Sequence, residues 1–249
     1  MKCKVSGKKI IPFMSFGKMP MANGFLELQE FNKEFFYELE VGFSEDNFLF
    51  QVNDHPKSNK IFNDKYPFYT HKSNYMVSHF KDYFNWIKKK FIKTNSKILE
   101  IGSNDGTFLK NFKNKNINHI GFEPSKNVAE LSKKSGVNVV NEFFNFENAS
   151  RLKDFKNKTD VICAANVICH VPDLVNLIKG IDVLLSKEGV FIFEEPYLGS
   201  MLKKISYDQI YDAHVFMFSV LSVQKIFNNF DFDLVDAYPQ VTHGGSMRY

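Results

Sequence analysis

From Lys97 onward the chain alternates short apolar runs with stretches of helical spacing. Lys97–Ile101, His119–Phe122, Val137–Val140, Asp160–Ala164 and Val190–Glu194 each have the length and apolar content of a buried strand. Between them, Thr107–Lys113 reads as a helix start. Ser125 is placed as the N-cap of a helix through Val128, Leu131 and Ser132 that stops at Gly136. Pro172–Leu185 reads as a further helix, with Pro in its first turn and Gly189 beyond its end. A longer helical region follows, and then Asp233–Ala237 and Gly244–Arg248 as two late strands. Strands alternating with helices predict a doubly wound α/β sheet, and a last pair without a full helix between them predicts an antiparallel edge. Ahead of this region, Met76, Phe80, Tyr83, Phe84 and Ile87 give Tyr75–Lys93 the period of an amphipathic helix. Residues 51–75 are polar and aromatic without a period and read as a connecting loop. Residues 1–50, with turns at Ser6-Gly7, Gly17, Pro20 and Asn23-Gly24, read as a small irregular β-rich unit. The expected division is an amino-terminal unit over 1–74 and the α/β domain over 75–249.

Composition narrows the function class. With 249 residues, 44% of them hydrophobic, the chain can bury one full-sized core. The formal net charge is +4, but Arg151 and Arg248 are the only arginines. Readers of phosphates and bases rely on the arginine fork, so a nucleic-acid partner is not expected. Cys3, Cys163 and Cys169 are too few and too scattered for a disulfide framework. No apolar run reaches the ~20 residues of a membrane span, and the opening residues do not read as a signal peptide, so a cytoplasmic protein acting on a small molecule, away from membranes, is expected. Nothing in the sequence sets an oligomeric state.

In an open α/β sheet, ligands bind beyond the carboxyl ends of the strands. The first of these strands runs into Glu100, Gly102, Ser103, Asn104, Asp105 and Gly106. The two glycines let the backbone turn tightly and approach a ligand where a Cβ would collide. Asn104 fills the middle glycine position of a dinucleotide fingerprint, which argues for a cofactor without a pyrophosphate. Glu123 ends the second strand about 20 residues later, where an acid accepts hydrogen bonds from both ribose hydroxyls, with Pro124 beside it. Asn145–Asn148 follows the third strand, where an adenine would lie, and Phe143 or Phe144 would pack on it. Asn166 ends the fourth strand and would face the remainder of the cofactor.

Six segments in order carry a resemblance that spans nearly the whole chain: Glu-Ile-Gly-Ser-Asn-Asp-Gly (100–106), Gly-Phe-Glu-Pro-Ser (121–125), Asn-Val-Ile-Cys-His-Val-Pro-Asp-Leu (166–174), Phe-Glu-Glu-Pro-Tyr (193–197), Tyr-Asp-Gln-Ile-Tyr (207–211) and His-Gly-Gly-Ser-Met-Arg (243–248). The string resembles the nucleotide-sugar 3-C-methyltransferases that act on 4-keto-6-deoxysugars. The resemblance implies a class I methyltransferase (Rossmann-like) seven-stranded sheet, S-adenosyl-L-methionine as cofactor, and a nucleotide sugar of polysaccharide biosynthesis as substrate. It also implies an amino-terminal zinc-binding domain and a further domain after the His-Gly-Gly-Ser motif. Three departures stand out. The family's two Cys-x-x-Cys pairs fall on Cys3/Ser6 and Ser44/Asn47, which is not a zinc donor set, so no metal is expected and the unit over 1–74 is read as a substrate or lid unit. The chain ends at Tyr249, before that further domain. The family's Tyr-His-Glu-His stretch reads Tyr211-Asp212-Ala213-His214, so Ala213 stands where a carboxylate belongs.

Methylation next to a ketone needs a base for the α-proton and a group that stabilises the enolate oxygen; oxygen methylation needs only the base. By resemblance His214 is the base, with Tyr211 and His170 as orienters or enolate stabilisers and Tyr66, or its neighbours Phe68 and Tyr69, from the substrate loop. His243 either holds a turn or touches the substrate. Loss of the carboxylate leaves three readings open: carbon methylation with histidine alone as base, oxygen methylation of a surface-polysaccharide sugar or related polar metabolite, and an inactive cofactor-binding partner module.

Overall fold

The structure is a computed structural model that describes residues 1–113 and 117–249. The chain forms two compact units. The first comprises residues 1–61, 166–175 and 194–249, and the second comprises residues 62–165 and 176–193.

The second unit is the α/β body. Helix α2 (Asn74–Phe91), which follows the short α1 (Ser58–Ile61) of the first unit, starts at Ser73, whose side chain accepts the Met76 N–H. It buries Phe80, Tyr83, Phe84 and Ile87, the i, i+3, i+4, i+7 stripe read from the sequence. These side chains meet Ile98, Phe108, Leu109, Phe112, Val137 and Val161 in one core. Phe84 lies edge-on to Phe112 at 4.7 Å, and the buried Tyr83 hydroxyl donates to Ile192 O at 3.2 Å. Burying each such ring contributes about 2–3 kcal/mol.

Strands β4 (Lys97–Ile101), β5 (Asn118–Phe122) and β6 (Val139–Val140) pair in parallel, and β7 (Thr159–Ala165) pairs with β4, also in parallel. Helices α3 (Lys126–Lys134), α4 (Phe146–Ser150) and α5 (Leu174–Leu184) fall between strands of this sheet in sequence. Strand β8 (Leu185–Pro196) follows α5, and β10 (Tyr238–Gln240) and β11 (Ser246–Arg248) close the sheet in the order β10-β11-β8-β7-β4-β5-β6. The two late strands are antiparallel, β11 to β8 and β10 to β11. The class I methyltransferase sheet of seven strands is therefore present.

Four local expectations are corrected. Thr107–Lys113 forms no α-helix, only the 3-10 turn Leu109–Phe112. Asp233–Ala237 is not a strand; pairing begins at Tyr238, opposite Arg248. Gly189 lies inside β8, where a Cβ would meet Thr159 O at 2.6 Å, so it serves a close approach rather than a helix end. Helix α3 does start after Ser125, but its hydroxyl makes no cap; the Ser125 N–H donates instead to Glu123 Oε1 at 2.8 Å.

In the first unit, β1 (Pro12–Pro20), β2 (Phe36–Ser44) and β3 (Leu49–Val52) form an antiparallel meander. Tyr37, Leu39 and Val41 alternate inward along β2. A fourth strand, β9 (Phe216–Met217), comes from the late part of the chain and pairs with β3. Helices α6 (Leu198–Lys204) and α7 (Val220–Asn228) complete this unit, the latter begun by a reciprocal Ser219/Ser222 capping box.

Candidate functional site

The turn after β4 is held by its own backbone and by two carboxylates. Gly102 (φ 69°), Asn104 (φ 47°) and Gly106 (φ 77°) are left-handed, conformations open to glycine and tolerated by asparagine. Ser103 N–H donates to Phe122 O (2.9 Å), which ties the turn to the end of β5. Glu123 is buried there, with Oε2 accepting Asn104 N–H (3.0 Å) and Oε1 accepting Ser125 N–H (2.8 Å). Burial raises the Glu123 pKa, against the pull of those N–H groups. Asn141, unnoticed in the sequence, donates to Glu123 O and Pro124 O at 2.8 and 2.9 Å and fixes the acid's backbone. Glu100 lies beneath the turn, wholly buried, with Oε2 unpartnered. Its pKa is raised well above the ordinary value by burial and then by the charges of Asp105 and Glu123. Phe144 is buried edge-on to Phe122 at 5.1 Å, whereas Phe143 is exposed.

A segment from the supposed connecting loop straps this turn. Asn104 Oδ1 accepts Thr70 N–H (3.0 Å) and the Thr70 hydroxyl (3.1 Å), and its Nδ2 donates to Phe68 O (3.2 Å). Asp105 Oδ2 accepts His71 N–H (2.8 Å) and pairs with the His71 ring (2.7 Å), while Oδ1 accepts Thr107 N–H and hydroxyl. Asn127 donates to Tyr66 O and the Tyr69 hydroxyl, both at 2.8 Å. Asn104 thus does more than fill a glycine position: its amide is the strap's anchor. Glu100, Gly102, Ser103, Asn104, Asp105, Gly106, Glu123, Pro124, Phe144 and Tyr66 all belong to this second unit.

The first unit gathers His170, His214 and His243. Carbonyl oxygens can only accept, so the bonds His214 Nδ1 to Gln209 O (2.9 Å) and His170 Nδ1 to Ala213 O (2.6 Å) place the proton on Nδ1 of each ring. Nε2 of neutral His214 then carries a lone pair, and the Tyr211 hydroxyl donates to it at 3.0 Å. The two imidazoles lie 5.2 Å apart. Burial, followed by the proximity of His170, pushes the His214 pKa down to about 3, and burial lowers that of His170 as well. Both rings are therefore neutral near pH 7. Ala213 takes part through its main chain: its carbonyl orients His170, so orientation comes from backbone rather than from a carboxylate at this position. Asp212 faces away, accepting Ala22 N–H at 3.2 Å. Asn166 is left-handed (φ 54°), and its amide meets His243 Nε2. Cys169, His170 and His214 each bring one donor atom within 4.8 Å of the others, but both His214 nitrogens are engaged in the bonds above, which fits proton chemistry better than metal ligation.

The mapped zinc positions also meet. Ser6 N–H and Asn47 Nδ2 each lie 3.4 Å from Cys3 Sγ, as donors to it. Burial opposes the Cys3 thiolate, yet hydrogen bonds from Ser44 and Ser6 outweigh it and leave the thiol's pKa below its ordinary value. One sulfur with two hydroxyls and an amide does not fit a structural zinc ion, which takes thiolate and imidazole ligands.

A glycine turn, a buried acid on the next strand and a seven-stranded sheet with an antiparallel edge accord with a match to the family described as "Methyltransferase domain" over residues 69–237. The chain belongs to that family. Its cofactor is S-adenosylmethionine. Residues 3–62 match a second family, described as "Putative zinc binding domain". The C-methyltransferase NovU of Streptomyces niveus is 24% identical over 99% of this chain, which spans 59% of the length of that relative. Among solved structures, a protein from Pyrococcus horikoshii aligns with a TM-score of 0.56 at 15% identity, over 78% of this chain and 97% of that one. Magnesium protoporphyrin IX methyltransferase from Synechocystis, solved with S-adenosylhomocysteine, aligns with a TM-score of 0.54 at 11% identity, over 69% and 80%. At these identities the likeness is one of fold. Among the described residues, no helix is long and apolar enough to cross a membrane.

Proposed function

We propose that the protein methylates a carbon next to the keto group of a nucleotide-activated sugar, with His214 as base. The observation that carries this reading is the neutral histidine pair, each ring held as its Nδ1–H tautomer, with Tyr211 on the free lone pair of His214. The whole-chain likeness to a C-methyltransferase supports carbon as the acceptor atom, and the motif resemblance supports the sugar. When bound, S-adenosylmethionine supplies a methyl group on a sulfonium. Glu123 would take the ribose hydroxyls and the Gly102–Gly106 turn the rest of the nucleoside, while Glu100 would supply a carboxylate for the cationic part.

On the acceptor side, the α-proton must reach Nε2 of His214, directly or by way of Tyr211. In the second case the phenol oxygen takes the substrate proton as its own passes to the ring. Charge left on the keto oxygen is met by the Tyr211 hydroxyl, which is released from His214 Nε2 once that nitrogen takes the proton, while His170, whose one N–H is held by Ala213 O, orients rather than donates. Of the amino-terminal unit, residues 1–61 serve the acceptor side, since Ala22 N–H anchors Asp212 and Val52 N–H donates to Val215 O, on either side of His214.

Ala213 favours a second reading, O-methylation of a polysaccharide sugar, because the position where the resemblance puts a carboxylate, next to His214, holds an alanine. Incubation with S-adenosylmethionine and a panel of nucleotide sugars, read by mass and NMR, separates the readings. A new C-methyl carbon on the sugar ring supports the proposal, and a methoxy signal favours oxygen. Tight cofactor binding without turnover across the panel would leave the inactive module.

A further inference from the structure

Glu195 lies near the end of β8, fully enclosed, opposite Met247 of β11. Its Oε1 accepts two successive backbone N–H groups, Val167 at 2.9 Å and Ile168 at 2.6 Å, while Oε2 has no hydrogen-bond partner. The preceding residue adds a third tie, because Asn166 N–H donates to Glu194 O at 2.8 Å. The segment these bonds fix is short: Asn166 is left-handed, and Val167–His170 closes a single 3-10 turn. At the far end of that turn, the His170 ring donates to Ala213 O, with the Cys169 thiol 3.7 Å from its Nδ1. Cys169 is itself buried against Glu195: burial, and then that carboxylate, raise its thiol pKa well above the usual range. Burial also pushes the Glu195 pKa up to about 7, against the Cys169 thiol and three backbone N–H groups that pull it down.

An enclosed carboxyl group is a costly way to terminate a strand, since burying such a group with one oxygen unpaired forfeits its hydration without replacing it. Its bonds go to a single place, the turn that carries His170. A 3-10 turn this short does not define its own geometry. Two N–H groups converging on one oxygen set where the turn begins, and the Ala213 carbonyl sets where its ring ends.

We propose that Glu195 is a positioning residue for His170: by clamping the Val167 and Ile168 N–H groups it fixes the ring against Ala213 O and thereby selects the Nδ1–H tautomer. The proposal rests on the reading of His170 as part of the acceptor site for its catalytic consequence, but not for its structural content.

The test is nitrogen-15 NMR of the histidine side chains, with His170 assigned through His170→Gln, in wild type and in the Glu195→Gln, Glu195→Asp and Glu195→Ala variants. Glu195→Gln keeps an oxygen for both N–H groups and is expected to keep the wild-type tautomer. In Glu195→Asp and Glu195→Ala the ratio of tautomers is expected to shift by about tenfold or more towards Nε2–H. Cofactor affinity, read by calorimetry in the same samples, is expected to stay within about twofold. If Glu195→Ala fails to fold, Glu195→Asp, which retains the charge but withdraws it, decides. An unchanged His170 tautomer in the folded Asp or Ala variant overturns the proposal, as does a Gln variant that shifts like Ala. A shifted tautomer with unchanged turnover on an active acceptor upholds the positioning role and removes His170 from the chemistry, so the two claims fail separately.

Discussion

His214 is 7% exposed, and its pKa near 3 lies below the ~6.5 of the unfolded chain. Between those values the unfolded state binds the proton that the folded state refuses. The stability this residue contributes is whole above pH 6.5 and is lost as pH falls towards 3, by ~1.4 kcal/mol per unit for one such group. His170, shifted the same way, adds to the slope. Urea unfolding at pH 7.5, 6 and 5 is expected to show the wild type weakening steadily, and His214→Gln weakening by about one proton less per unit. Equal slopes would mean that His214 is not held neutral by its surroundings. The same shift puts the acid limb of kcat/KM below pH 5 if His214 is the base. Gly106 illustrates a different constraint. Its φ is +77°, and a Cβ there would meet Ser132 Oγ at 2.5 Å and Val137 Cγ2 at 3.0 Å. Gly106→Ala is expected to cost about 2–3 kcal/mol, the left-handed strain plus overpacking. Adding Ser132→Ala should recover the packing part only, as read from paired melting curves.

At the scale of elements, the sequence's apolar period located the sheet and α2 well, because a buried strand or an amphipathic face is written in consecutive residues. The strap over the glycine turn has no such signature. Thr70 and His71 lie 34 residues before their acceptors Asn104 and Asp105, in a stretch with neither helical nor strand period. Strand β9 is equally hidden: two residues cannot show a period, and its partner β3 lies more than 160 positions earlier. The strap should respond to Asn104 alone. Asn104→Gly leaves the left-handed turn easier to form but removes the acceptor of Thr70, so amide exchange at Thr70 is expected to quicken by about tenfold or more while β4 and β5 stay protected. Unchanged exchange would show that Asp105 suffices. The Cys3 cluster makes a companion case, since the zinc positions were legible in the sequence but the hydrogen bonds to Cys3 Sγ were not. Prolonged chelation is expected to leave the melting temperature unchanged, and elemental analysis to find far less than one zinc per chain. A stoichiometric zinc that chelation removes with loss of stability would refute this.

For the molecule as a whole, the residues expected to hold the cofactor, Asn166 excepted, lie in one compact unit and the cluster of His170 and His214 in the other, so donor affinity and turnover should be separable by mutation. His214→Ala is expected to leave the dissociation constant for S-adenosylmethionine within about twofold, whereas Glu123→Ala should weaken it by about tenfold or more, the loss of a charge-assisted bond. Glu100 carries a sharper prediction, that it distinguishes donor from product. Its carboxyl is wholly buried with Oε2 unpartnered, and burial with the charges of Asp105 and Glu123 holds its pKa well above the ordinary range. A positively charged ligand favours the ionised form, so binding the sulfonium should pull this pKa down and expel a proton, while the uncharged thioether of the product should do so less. Donor affinity is then expected to rise with pH relative to product affinity, through the range where free Glu100 is still protonated. Calorimetry in two buffers of different ionisation enthalpy reads the proton directly, and Glu100→Gln should abolish the difference between donor and product. If the ratio of their affinities is flat with pH in the wild type, the carboxyl does not sense the methyl-bearing charge, and Glu100 is only a neutral prop beneath the turn.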